Sequence, residues 1–228
     1  MKVNPFKKVG VTMKLQQAPL LRLYRLSIDP QDRTELVQAG AHNLLTSIAQ
    51  EPGTLAMGAT HQDVFGATNY IFELYRDDEH YQVHAQSPQF RQYQQVAQRV
   101  VHDKMVLELT PQVLRSQATA LHVSGPNDLV VRGLFLTAKP GQTATIRQRV
   151  RERVDRLAFS EPDTLAVYAA TVATDETQWV ILEVYRNAHA IVSGDHDLAH
   201  TLADVVTQQF SRHLAPDGLV TQGSLSFE

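Results

Sequence analysis

The chain has 228 residues, 43% of them hydrophobic and 20% charged, with a formal net charge of −3 and no cysteine. These are globular proportions, which exclude a disordered or collagen-like chain, and the lack of cysteine removes disulfides, thiolate metal sites, iron–sulfur clusters and cysteine nucleophiles together. The weak negative charge gives no reason to expect nucleic acid or an anionic membrane as partner, and no stretch approaches the roughly 18 apolar residues of a spanning helix.

Residues 1–18 carry Lys2, Lys7, Lys8 and Lys14 with no continuous apolar run behind them. They read as a tail or docking arm and not as a secretory signal, and the protein is expected in the cytoplasm. Leu21 to Ile28 is rich in apolar residues and reads as a strand. Asp29-Pro30 then supplies an N-cap and a proline for the first helical turn, and the segment EPGT at 51–54 ends that helix. Leu55–Thr60 and Asn69–Tyr75 form a hairpin, a second helix follows over about 78–102, and a strand lies at Met105–Leu109. The stretch SQATALHVSGPND, 116–128, is small and polar with a Gly-Pro turn signal and reads as a linker.

The same order then recurs. Val130 to Thr137 reads as a strand, and Ile146, Val150, Val154 and Leu157 make one apolar helical face. EPDT at 161–164 stops that helix. Leu165–Thr171 and Trp179–Tyr185 form a hairpin, a helix is expected over about 188–213, and a strand at Leu219–Phe227.

A slide of 110 residues superposes EPGTLA at 51–56 on EPDTLA at 161–166 and IFELYR at 71–76 on ILEVYR at 181–186. Over 20–76 against 130–186 there are 14 identities in 57 ungapped pairs, a constant offset that marks a duplication. The fold class is therefore α+β: two ferredoxin-like β-α-β-β-α-β repeats, 19–115 and 129–228. A four-stranded sheet with both helices on one side leaves an apolar face bare. Two repeats cover each other sheet to sheet, as a pseudo-dimeric barrel within one chain. Further homodimerisation is permitted but not required.

In the hairpin and second helix the chain resembles the antibiotic biosynthesis monooxygenase family of dimeric α+β barrels. The resemblance rests on EPGTL at 51–55, Glu73 and Tyr75 as E-x-Y, His84-Ala-Gln-Ser87 and Phe90, and the pattern covers most of both repeats. It implies a pocket between sheet and helices that takes a small aromatic molecule. It also implies oxygenation without a cofactor, the electrons coming from a phenolic, quinol or polyketide-like substrate. On that reading His84 is the base and Tyr75 orients the ligand, with Glu73, Phe90, Arg22 and Tyr24 binding it. A histidine suits proton transfer because its ordinary pKa, about 6.5, lies near neutral pH. A protein of the same fold that only binds a small molecule is the alternative. Related haem-degrading proteins carry a histidine and a tryptophan where this chain has about Gln94 and Tyr75, which speaks against haem.

The second repeat keeps Glu161, Glu183 and Tyr185 but has Gly194 where His84 would align, and only a two-residue insertion brings His196 opposite it. One usable and one degenerate pocket are expected. The pairs HYQVH at 80–84 and HDLAH at 196–200 have zinc-like spacing, but neither carries the glutamate of H-E-x-x-H and no third ligand is evident, so no metal is assigned. The arginines of IRQRVRERVDRL, 146–157, read as a solvated helix exterior, and Arg22 and Arg132 as partners of nearby carboxylates. No G-x-G-x-x-G or P-loop supports a nucleotide.

Overall fold

The computed structural model describes residues 13–117, 119–160, 163–191 and 197–228. Most of the expected tail, Glu161, and the Gly194 and His196 positions lie outside the described residues. In the first repeat β1 (Met13–Lys14) precedes β2 (Leu20–Ile28), α1 (Arg33–Gln50), β3 (Thr54–His61), β4 (Thr68–Tyr75), α2 (Asp78–Ala85), α3 (Pro88–Val100) and β5 (Val101–Ser116). After β6 (His122–Ser124), the second repeat runs β7 (Val130–Ala138), α4 (Thr143–Ser160), β8 (Thr164–Val172), β9 (Asp175–Tyr185), α5 (Leu198–Leu202), β10 (Val206–Thr221) and β11 (Leu225–Phe227).

Eight strands close into an antiparallel barrel in the order β5-β2-β4-β3-β10-β7-β9-β8, with β8 returning to β5. The two 16-residue strands make the closure. The first half of β5 pairs with β2 and its second half crosses to β8, while β10 pairs first with β7 and then with β3. β6 and β11 repeat the exchange, lying on β10 and β5 respectively. This is the expected sheet-to-sheet pseudo-dimer. The expected strand Met105–Leu109 extends to Ser116 because its second half pairs with β8, and the expected strand Leu219–Phe227 is divided between the end of β10, which already starts at Val206, and β11.

Strand alternation sorts side chains to the two sides of the barrel wall. Tyr70, Phe72 and Leu74 from the first repeat meet Tyr168, Ala170, Val180 and Leu182 from the second in one continuous interior core. On the outer side, Ile146, Val150 and Val154 of α4 are fully buried against Leu134, Leu136, Trp179 and Ile181, as their spacing predicts. Leu44 and Ile48 of α1 cover Met57 and Val220 in the same way. Gly58 is required here, because a Cβ at that position would stand 2.1 Å from the Phe72 ring.

Three expectations are corrected. Asp29 makes no side-chain cap: Pro30–Asp32 forms a 3-10 turn and the α-helix starts at Arg33. The first repeat's second helix is broken at Ser87, whose hydroxyl accepts from the Phe90 amide and restarts the chain as α3 with Pro88 in its first turn. In the second repeat no helix runs over 188–213. The offset between repeats falls from 110 at Thr54/Thr164 to 105 at Val101/Val206, so the stretch before the final strand is five residues shorter than in the first repeat. Among the described residues, 3-10 turns at Ala188–Ala190 and Ala203–Val205 and the short α5 precede β10, whose residues 206–214 are taken by pairing with β7.

Candidate functional site

A cavity of about 450 Å³ lies between the outer side of β2 and β4 and the helices α2 and α3, within the range usual for small-ligand pockets. Its walls include Tyr24, Glu73, Tyr81, Phe90, Tyr93 and Lys104. The alternation of β4 produces this directly: Ile71, Glu73 and Tyr75 point to the helices, and Tyr70, Phe72 and Leu74 to the barrel core.

Beside the cavity sits a buried polar cluster. His84, on α2, has no exposed surface. Its Nδ1 lies 3.1 Å from Glu51 Oε2, 3.3 Å from Glu51 Oε1 and 3.2 Å from Ser47 Oγ. Gln89 at the start of α3 donates to Glu51 Oε1 at 2.6 Å, and the Thr54 hydroxyl donates to Oε2 at 2.6 Å. Burial alone would raise the Glu51 carboxyl, but hydrogen bonds from His84 and Thr54 outweigh it and hold the group below its ordinary value. An ionised Glu51 accepts the Nδ1 proton, which leaves Nε2 as the basic nitrogen. That nitrogen is buried without a hydrogen-bond partner. The imidazole packs against Tyr75 at 5.3 Å and Phe90 at 4.9 Å between ring centroids.

Glu73 is 4% exposed, and no cation stands within 4 Å of it among the described residues. Burial pushes its carboxyl up, and the charges of His84 and Arg22 only partly oppose this. The Tyr24 and Tyr75 hydroxyls face it, without hydrogen bonds of normal geometry; the Tyr75 oxygen is buried with no partner. Both phenols are pushed well above their ordinary value, first by burial and then by the Glu73 charge.

At the corresponding place in the second repeat the described residues form an ion-paired cluster. Arg132 Nε donates to Glu183 Oε2 at 2.7 Å, and its Nη2 lies 2.6 Å from that oxygen and 2.8 Å from Asp197 Oδ1. The Tyr185 hydroxyl donates to Glu183 Oε1 at 2.9 Å. Arg153 is also buried, 1% exposed, with its charge acting on the Tyr185 phenol. The expected exterior position of the arginine run is therefore corrected at Arg153, which α4 turns to the sheet. Arg149 reaches Asp204 and Arg151 approaches Glu228, whereas Arg147 is half-buried and donates to Gln112 Oε1 on β5.

Of the residues singled out in sequence, Tyr24, Glu73 and Phe90 line the cavity. His84 and Tyr75 meet each other but do not line it, and Phe90 is the ring that touches both His84 and the cavity. Arg22 turns away: its guanidinium stacks over Tyr81 at 3.9 Å and lies 3.3 Å from Glu108. Gln94 is in the cavity wall. The histidine pair at 80–84 is divided, since His80 bonds Asp77 at 2.7 Å while His84 bonds Glu51. Among the described residues no three His, Asp or Glu side chains converge as a metal-binding group, and no helix is long and apolar enough to cross a membrane. Sequence reasoning missed Glu51 and Ser47 as partners of His84, and Gln89 as a further partner of Glu51. Glu51 enters the sequence analysis as part of a helix stop and of the family pattern EPGTL, with no side-chain role, although its recurrence in both repeats beside an E-x-Y strand was the available signal.

The sequence model of the family described as antibiotic biosynthesis monooxygenase matches residues 19–96 and 130–193. Among solved structures, a candidate monooxygenase from Lactobacillus acidophilus NCFM superposes with a TM-score of 0.85 at 23% identity, covering 93% of this chain and 100% of the other. A second, from Fusobacterium nucleatum, gives 0.82 at 18% identity over 93% and 99%. An anthrone oxidase-like protein gives 0.56 at 11% identity over 93% and 96%. At these identities the likeness is one of fold. Among curated proteins no relative matches.

Proposed function

The chain belongs to the antibiotic biosynthesis monooxygenase family as two fused copies of its domain, and from that premise we propose that the first repeat is a cofactor-independent monooxygenase of an electron-rich aromatic, of the phenol, quinol or anthrone kind. The observation that carries this is the pairing of an aromatic-walled cavity of about 450 Å³ with a buried imidazole whose Nδ1 is held by Glu51 and whose Nε2 is unpartnered. A carboxylate that fixes the tautomer of a histidine prepares the opposite nitrogen to take a proton. Fold likeness to an anthrone oxidase-like protein agrees with an anthrone as one substrate type.

For an anthrone the chemistry balances without an added reductant. His84 Nε2 removes a proton from the ring methylene, and the electron pair delocalises onto the ring and its ketone oxygen. The carbanion passes one electron to dioxygen, and the two radicals join as a hydroperoxide. Loss of water then leaves a new carbonyl, so one oxygen atom enters the product and the other departs as water. Tyr75 packs on the imidazole and fixes the ring plane. Because Phe90 stands between His84 and the cavity, the proton travels past that ring, by movement of the side chain or through a water.

Oxygen uptake by the purified protein with anthrones and quinols, in the presence of a chelator, tests this reading. Wild type is expected to consume oxygen, His84→Ala to fall by roughly 10²–10⁴-fold, and His196→Ala to change little. Burial of His84 behind Phe90 favours the second reading, a protein that binds the aromatic without converting it. Tight aromatic binding with no uptake on any substrate would establish that second reading.

A further inference from the structure

The two repeats place the same glutamate in opposite settings, and the contrast identifies what the first is for. Glu73 and Glu183 occupy equivalent strand positions, each directly across from an arginine in the neighbouring strand: Arg22 opposite Glu73, Arg132 opposite Glu183. In the second repeat that arginine turns inward and neutralises the carboxylate, with a further arginine, Arg153, buried close by. In the first repeat Arg22 turns outward onto Tyr81 and Glu108, and Asn43 stands where the 110-residue offset places Arg153. Glu73 is thus a carboxyl in the wall of an aromatic cavity with no cation in contact, whereas Glu183 is one half of a structural ion pair.

We propose that Glu73 acts as a carboxylic acid that donates its O–H to the ketone or phenol oxygen of the bound aromatic, and so stabilises the negative charge that reaches that oxygen when His84 removes the substrate proton. This rests on the functional reading above and adds to it a second substrate-touching group. It also narrows the ligand to aromatics with a hydrogen-bond-accepting oxygen. An isolated carboxylate in an apolar wall is costly and takes up a proton instead, and a neutral acid is then a preorganised donor for a developing oxyanion. The groups that bear on its ionisation are Arg22 and Tyr24 on β2, Tyr75 on β4, Tyr81 and His84 on α2, Tyr93 on α3 and Lys104 on β5. Lys104 is exposed and lies over the Tyr24 ring at 5.3 Å, and Arg22 is engaged elsewhere, so neither cation is in contact with Glu73. No proton leaves Glu73 in this step. The C–H bond breaks toward His84, its electron pair moves onto the ketone oxygen, and the hydrogen bond from the Glu73 O–H to that oxygen shortens.

Infrared difference spectroscopy of wild type against Glu73→Gln, in H₂O and D₂O at pH 7, reads the protonation state with no substrate present. A protonated-carboxyl C=O stretch that shifts in D₂O and vanishes in the variant is expected; its absence in folded wild type would overturn the proposal. Binding of 1,8-dihydroxyanthraquinone and oxygen uptake with anthrone then test the role. Glu73→Gln keeps an N–H donor and should hold turnover within about 10-fold, whereas Glu73→Leu should lose roughly 10²–10³-fold. A Leu variant that folds and turns over like wild type would overturn the donor role. Should wild type take up no oxygen, the monooxygenase reading fails, and weaker quinone binding by Glu73→Leu than by Glu73→Gln would still support the donor.

Discussion

Replacing Arg132 by methionine strikes a buried ion pair, and its counterpart Arg22 provides the comparison. Glu183 is fully buried and Arg132 only 4% exposed, so Arg132→Met strands a carboxylate in the interior while keeping the side chain's length. Breaking a buried pair in this way costs about 3–5 kcal/mol. The remaining Tyr185 hydrogen bond and the proximity of Arg153 place the expected loss at the lower end. For a chain of this size each kcal/mol lowers the melting temperature by about 2–4 °C, so a fall of roughly 6–12 °C is expected. Arg22→Met removes only a pair with a Glu108 side chain that is 69% exposed, together with a stack on Tyr81, and should cost about 0–1 kcal/mol. The double variant Arg132→Met/Glu183→Leu removes both charges and should recover most of the loss. Urea and thermal unfolding by circular dichroism measure all three. Equal losses at Arg22 and Arg132 would refute the claim that the two repeats use the same arginine differently.

Gly58→Ala should destabilise by about 1–3 kcal/mol, because its methyl group meets the Phe72 ring inside the barrel core, and the urea midpoint reads it directly. Two opposite pH dependences follow from Glu51 and Glu73. The Glu51 carboxyl is held below its ordinary value, so the stability it contributes is complete above that value and is lost as pH falls through the depressed one; Glu51→Gln should flatten the acid limb of the stability profile. The Glu73 carboxyl is raised, so its favourable contribution is complete below the ordinary glutamate value and is lost as pH rises through the folded one. Glu73→Gln should therefore gain on wild type as pH increases. Melting temperatures taken across the pH range test both, and parallel profiles for wild type and either variant would contradict the corresponding assignment.

The duplication was legible because the 110-residue offset runs unbroken from Arg22/Arg132 through Tyr75/Tyr185, and a repeated β-α-β-β-α-β order leaves few ways to bury the bare sheet faces. The lining role of Glu73 was legible too, since alternation along β4 decides which side of the wall each residue takes. The strand ends were not. Residues 110–116 and 215–218 owe their pairing to the opposite repeat, a long-range effect that local periodicity does not encode. The expected helix over 188–213 failed because it was carried across from the first repeat, while the second has five fewer residues there and spends 206–214 on a strand. The cluster around His84 escaped because Ser47 and Glu51 at the end of α1, and Gln89 of α3 behind Glu51, are joined only in the fold. Arg153 escaped because a run of alternating charges looks solvated, although its spacing of seven from Ile146 and three from Val150 puts it on the apolar face of α4.

The central claim is that one chain carries one working pocket, in the first repeat, and that the ion-paired Glu183 site of the second repeat takes no ligand. Isothermal titration of 1,8-dihydroxyanthraquinone tests it most directly, with wild type set against Ala97→Trp, which places an indole in the first-repeat cavity wall. The account predicts one ligand per chain for wild type and none for the variant. Two ligands per chain, or undiminished binding by Ala97→Trp, would contradict it.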